Sequence, residues 1–334
     1  MKKKFLSLLL ALTMGLTFAG CGGSEQPSSS QQTAQTESSD SQSYTVGICQ
    51  FSQHPALDAA TQGFTDALEE ALPGQVNFQM ENASNDIPTC GVICNGFVAN
   101  QVDLILANAT PCLQAAASST VDIPILGTAV TEYGVALDID DFDGTVGGNI
   151  SGTSDLAPLD QQAAMVKELF PEAKNVGILY CSAEANSVYQ SNVVQKELEQ
   201  LGFSVQVYTF ADSNEVSAIT ATACDENDVL YMPTDNTIAL CAEAIHNVAE
   251  PAGIPIINGE ANPCKICGVA TLSIDYYELG RTTGKMAAEI LSGKKDISKM
   301  PVEYFPEPQK LFNPSIAESL NVTIPEDYSP IPME

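Results

Sequence analysis

The chain has 334 residues, with 13 Lys and Arg against 42 Asp and Glu, a net charge of −29, and 44% hydrophobic residues. About 290 residues follow an export-like N-terminus and a polar stretch, enough for two cores of ordinary domain size, and the apolar content excludes a wholly disordered body. So acidic a chain is repelled by nucleic acid and by anionic lipid surfaces, and no nucleic-acid partner is expected.

The N-terminus opens with Lys2-Lys3-Lys4, continues through an apolar run at residues 5–18, and reaches Ala19-Gly20 directly before Cys21. The run is too short for a comfortable membrane span. The pattern resembles a bacterial lipoprotein signal (1–20), which implies lipidation of Cys21 and an extracytoplasmic protein held at the membrane. Residues 21–43 are rich in Ser, Gln and Thr and nearly devoid of apolar side chains, as expected of a disordered tether reaching roughly 25–30 Å.

From residue 44 the chain reads as strand–helix–strand units. A strand at 44–50 precedes an amphipathic helix at 58–71 that Pro73-Gly74 stops. A strand at 76–80 and a helix at 87–100 follow, then a near-continuous apolar run at 102–107, the mark of a parallel strand buried on both faces. Thr110 before Pro111 predicts a helix N-cap at the carboxyl end of that strand, where free N–H groups receive anions in open α/β sheets. A strand at 123–127 completes the first half, and the Gly-rich segment 147–155 leads into a second half of the same order. There, helices are predicted at 159–170, 188–201, 216–223 and 237–249, and strands at 176–180, 204–210, 228–232 and 254–257. Residues 181–187 are read as a loop. Residues 269–274 return as a strand, Asp275 opens a helix to about Leu291, and 302–314 is strand-like. The repeated order predicts two α/β lobes with a ligand cleft between them.

Motifs of catalysis are scarce. There is no Gly-x-Ser-x-Gly, His-Glu-x-x-His or phosphate loop, and the only histidines are His54 and His246. No enzyme activity, catalytic residue or cofactor is expected. The acidic segment 138–144 lacks the alternating carboxylates of a calcium loop and reads as solvated. Nine cysteines follow Cys21. Cys90 and Cys94 with Cys264 and Cys267 could in principle make a four-thiol metal site, but they fall in different lobes, so structural or free thiols are expected and no metal. Redox chemistry at Cys264-Lys265-Ile266-Cys267 is a further alternative.

Six stretches carry a resemblance to a family. They are Gln50 onward with His54-Pro55-Ala56-Leu57-Asp58-Ala59-Ala60 and Gly63-Phe64, then 103–111, 148–155, Glu184-Ala185-Asn186-Ser187, 233–237 and 271–280. Together they resemble bacterial ABC-transporter substrate-binding lipoproteins, a family that includes binders of tryptophan and other aromatic amino acids. The resemblance spans essentially the whole mature chain. It implies two doubly wound parallel-sheet lobes joined by three crossovers, the type I periplasmic-binding fold. Lobe 1 would comprise 44–152 plus 275–300 and lobe 2 would comprise 153–274 plus 301–334, with crossovers at 151–155, 273–276 and 299–302. It further implies a small amino acid-like ligand, aromatic favoured, with ABC permease and ATPase subunits as partners. A ligand-sensing surface receptor on the same fold is the alternative. The numerous cysteines depart from the usual family pattern.

An amino acid needs donors for its carboxylate and acids for its ammonium. Thr110, aided by Thr128 or Ser154, is expected at the carboxylate, and Asp235, followed by Asp155 and Glu260, at the ammonium. Phe51, Tyr180 and Tyr276 would supply an apolar wall. His54, Asn186, Thr234, Asn236 and Asp275 complete the expected cleft.

Overall fold

The computed structural model describes residues 43–305 and 308–332; the expectations for the signal, for Cys21 and for almost all of the tether fall outside them. The first half runs β1 (Tyr44–Gln50), α1 (Pro55–Ala71), β2 (Val76–Asn82), α2 (Ile87–Ala99), β3 (Leu104–Asn108), α3 (Thr110–Ser119), β4 (Ile125–Val130), α4 (Tyr133–Ala136) and β5 (Ile150–Ser154). The second runs α5 (Leu159–Leu169), β6 (Asn175–Cys181), α6 (Ala185–Gln200), β7 (Ser204–Phe210), α7 (Val216–Glu226), β8 (Val229–Met232), α8 (Asn236–Ala252), β9 (Ile256–Asn258), α9 (Ala261–Cys267) and β10 (Ala270–Ser273). The chain then forms α10 (Tyr276–Leu291), β11 (Glu303–Tyr304), β12 (Gln309–Phe312), α11 (Pro314–Ser319) and β13 (Ser329–Pro330).

Two sheets result. The first has the order β11-β5-β4-β3-β1-β2 and the second β13-β12-β10-β9-β8-β6-β7. All their named pairs are parallel except β10 with β12. Central β3 is buried at every position, as its unbroken apolar run predicts, whereas the edge strands β2 and β7 expose much of their length. Side chains alternate across β1. Val46 and Ile48 join a core with Phe64 and Leu68 of α1 and Met286 and Ala287 of α10, while Cys49 and Phe51 join the opposite core with α2 and α3. The second sheet is likewise covered on both faces.

Four of the differences from the sequence reading bear on the cleft and on the division between sheets. Pro55 starts α1 three residues early, because proline fits the first helical turn. Thr110 lies inside α3, whose N-cap is Ala109 with φ 92° and no side-chain cap. The supposed loop 181–187 gives way to α6 at Ala185, behind Glu184. The first sheet takes in Ser154 and Glu303–Tyr304, beyond the expected division at 152 and 300, because β11 pairs with β5. The third passage between sheets therefore lies between Tyr304 and Gln309 rather than at 299–302.

Helix α10 returns to the first sheet and lies against α1 through glycine. A Cβ at Gly280 would stand 2.0 Å from the Ala60 carbonyl oxygen, and one at Gly63 would stand 2.0 Å from that of Tyr277. Neither contact is possible without moving a backbone. Gly280→Ala is expected to lower unfolding free energy by about 1–3 kcal/mol, the usual cost of overpacking, read as a lower urea midpoint; an unchanged midpoint would refute this account of the helix contact.

Candidate functional site

A narrow, partly open cavity with a free volume of about 10 Å³ lies on the seam between the two sheets. His54 and Leu57 reach it from the start of α1, and Ala129 and Thr131 from the end of β4. Asp155 comes from the first passage between sheets and Tyr276 from the start of α10. Asn186, Thr234, Asp235, Asn236 and Glu260 come from the loops and helix starts of the second lobe. These elements meet because parallel strands present their carboxyl ends, and the amino ends of the next helices, on one side. Ala129 has φ 51°, a left-handed conformation in a non-glycine residue, at the point where the β4–β5 register shifts.

The carboxylates here differ in how they are satisfied. Glu184, just outside the cavity and 2% exposed, accepts from five donors: Asn186 Nδ2, the backbone and side chain of Asn236, and the backbone and hydroxyl of Thr237. It ties the start of α6 to that of α8. Asp235 accepts from Cys181 N–H and Ile238 N–H, both at 2.8 Å, so it caps α8 and holds the end of β6. Asp155 Oδ2 accepts from the Tyr276 hydroxyl at 3.0 Å, while its Oδ1 has no partner. Glu260 Oε1 is also unpaired and buried. No Lys or Arg lines the cavity.

Burial therefore raises these acids. Glu260 rises to about 8, from desolvation first and then the nearby Asp155, with Tyr276 opposing. Asp235 also rises to about 8, from desolvation and then Glu184, against the pull of its two backbone donors. Asp155 is raised by burial, with hydrogen bonding from the side chains of Thr131 and then Tyr276 opposing. Desolvation lowers His54, with the hydrogen bond to Asn236 and the nearby Glu184 and Asp58 opposing. Its Nε2 donates to Asn236 Oδ1 at 3.1 Å, bridging the lobes, and Nδ1 remains without a partner. Asn85 Nδ2 makes a second bridge to Thr237 Oγ1 at 3.3 Å.

Eight of the expected residues thus converge: His54, Asp155, Asn186, Thr234, Asp235, Asn236, Glu260 and Tyr276. The other six line no part of this cavity. Phe51 is core and borders a second hollow along the seam. Thr110 is buried in the first turn of α3. Thr128 belongs to a buried hydroxyl network with Thr153 and Thr283. Ser154 donates to the Thr131 carbonyl, Tyr180 packs in the second lobe's core, and Asp275 caps α10 through Glu278 N–H. Leu57, Ala129 and Thr131 were not anticipated; Pro55, read as a first-turn proline, would have brought the start of α1 and Leu57 to the cleft, while nothing local marks Ala129. Cys264 and Cys267 are buried in α9, and burial pushes Cys264 well up and Cys267 to about 12, unsuited to thiol exchange.

Residues 45–334 match the family described as ABC transporter substrate binding protein. The chain belongs to that family. Its fold is the type I periplasmic-binding fold, and the family's work is binding rather than catalysis. The chain is 34% identical over 327 residues to a tyrosine-binding protein of Clostridioides difficile (strain R20291), covering 96% of this chain and 93% of that one. Among solved structures, an ABC domain from Streptococcus pneumonia in complex with L-Trp aligns with TM-score 0.81 at 31% identity, over 85% of this chain and 96% of the other. A ligand-free, open substrate-binding protein with adhesive properties from Clostridium difficile aligns with TM-score 0.67 at 35% identity, over 87% and 100%. No helix among the described residues is long and apolar enough to cross a membrane.

Acids raised in the folded state hold protons that the unfolded chain releases between about pH 4 and pH 8, so they make stability fall as pH rises through that window. Below about pH 4 both states are protonated and the penalty vanishes. Thermal unfolding of the ligand-free protein should show a lower Tm near pH 8 than near pH 5, and Glu260→Gln should flatten that slope. An equal slope in the variant would refute the assignment, since general repulsion among the surface acids is common to both proteins.

Proposed function

We propose that this chain captures a free amino acid, with an aromatic side chain favoured, and delivers it to the permease and ATPase subunits of an ABC importer. It would act outside the cytoplasmic membrane from a lipid anchor at Cys21. One observation carries the ligand chemistry: two buried carboxylate oxygens, Asp155 Oδ1 and Glu260 Oε1, lack partners beside a narrow cavity without a lining cation. An ammonium supplies the donors and the positive charge that such a site lacks. Asp235, first choice on position alone, already spends both oxygens on backbone N–H groups, so the ammonium is assigned to Asp155 and Glu260.

The ligand carboxylate is assigned to the start of α1. That helix has Pro at its first turn and no side-chain cap, which leaves its leading N–H groups and dipole available beside Leu57. Leu57, Ala129 and the Tyr276 ring form the apolar part of the wall. The tyrosine and tryptophan named for the two relatives support an aromatic ligand.

The chain contains no tryptophan but ten tyrosines, so the fluorescence of bound L-tryptophan reports binding directly and L-tyrosine is read by competition. The full-length protein, freed of co-purified ligand, should bind L-tryptophan or L-tyrosine saturably. Asp155→Asn and Glu260→Gln should each weaken binding by about tenfold or more, matching the roughly 1.5–3 kcal/mol of a hydrogen bond to a charged group. Affinity should rise with pH as the acids give up their protons. Unchanged dissociation constants in both variants would overturn the ammonium assignment, and no binding of any aromatic amino acid would overturn the ligand class.

A further inference from the structure

The first lobe brings together thiols that the ligand cavity does not use. Cys49 is next to last on β1, Cys90 lies in the first turn of α2, and Cys112 lies in the first turn of α3. All three are fully buried. Cys49 Sγ lies 3.3 Å from Cys112 Sγ, and Cys90 Sγ lies 3.7 Å from Cys112 Sγ. The three sulfurs fall within 4.8 Å of one another. Cys94, one turn further along α2 and equally buried, stands outside this group of three sulfurs.

We propose that Cys49, Cys90 and Cys112 form a three-thiolate binding site for one thiophilic divalent cation of the zinc type. Zinc–sulfur bonds of about 2.3 Å around a tetrahedral ion set the sulfurs roughly 3.8 Å apart, and the two measured separations already lie near that spacing. A cysteine acting only as a small apolar side chain has no reason to meet others sulfur to sulfur from a strand and two separate helices. Hydrogen bonding with Cys112 and burial raise the Cys49 thiol, and burial raises that of Cys112, so the cation itself must displace their protons. Cys90 and Cys112 each sit at a helix amino end, where the dipole offsets thiolate charge.

Each ligating thiol releases its proton to solvent and donates a lone pair to the cation, with no change of oxidation state, so binding tightens as pH rises. The bound ion would pin β1 to α2 and α3. Cys90 thus pairs with Cys49 and Cys112 of its own lobe rather than with Cys264 and Cys267, which lie in the second lobe.

The test is titration of the reduced full-length protein with Cd²⁺ under anaerobic conditions. A thiolate-to-metal charge-transfer absorption should grow and saturate at one equivalent. It should be lost in Cys112→Ala and persist in the double variant Cys264→Ala, Cys267→Ala. Zinc-loaded wild type, which needs no substitution, should give an X-ray absorption first shell of at least three sulfurs. Absence of the charge-transfer band, its survival in Cys112→Ala, or a zinc shell of oxygen and nitrogen from the acidic cleft would overturn the proposal. So would a Cys49–Cys112 disulfide that resists reduction in the folded protein.

Discussion

Burying carboxylates without cations is the constraint on which this cleft depends. A buried acid is tolerable only when donors replace the water it loses, and the four acids around the seam meet that demand to different degrees. Glu184 has five donors and acts as masonry between α6 and α8. Asp235 has two backbone donors and caps a helix. Asp155 has a phenol on one oxygen and nothing on the other, and Glu260 retains an unpaired oxygen. Polar satisfaction falls from the outer wall toward the cavity, which separates the residues that build the cleft from those with capacity left over for a ligand.

The same gradient explains how far the sequence could be read. Parallel strands such as β3 declare themselves through unbroken apolar runs, and the repeated strand–helix order locates two lobes and the side on which their loops gather. Position along a strand–helix unit is therefore legible, and it places Asp155, Asp235 and Glu260 at the cleft. What an oxygen faces is not legible. Asp235 and Asp155 look alike as acids at the ends of strands, and only the neighbouring backbone shows that the first is committed and the second is not. Thr110 and Thr128 miss the cavity for a related reason: a hydroxyl at a strand's end can turn inward to the protein as readily as outward, and Thr128 turns toward Thr153 and Thr283.

Boundaries between lobes were equally hard to read, because they depend on pairing across long sequence separations. The two-residue strand β11 joins the first sheet only because β5 offers it an edge, and nothing within residues 301–304 announces that. The contact of α1 with α10 is a similar case. Gly63 and Gly280 read locally as helix-weakening residues, yet each is needed because the other helix's backbone occupies the space a side chain would fill.

Closure and recognition then become one energetic problem. The bridges His54–Asn236 and Asn85–Thr237 join the two sheets' loops, in an arrangement where Asp155 and Glu260 are withdrawn from water. Two modest neutral hydrogen bonds, worth about 1 kcal/mol each, do not by themselves offset the burial of acids whose ionisation is displaced by several pH units, as it is for Glu260. On the proposed assignment, a ligand ammonium reaching both carboxylates would remove that penalty. Differential affinity of this kind is what allows a ligand to shift a two-state equilibrium. On this reading the incompletely satisfied acids are the part of the cleft that makes closure depend on the ligand: filling their free valences with protein donors would give a more stable closed lobe pair and a poorer sensor of its cargo.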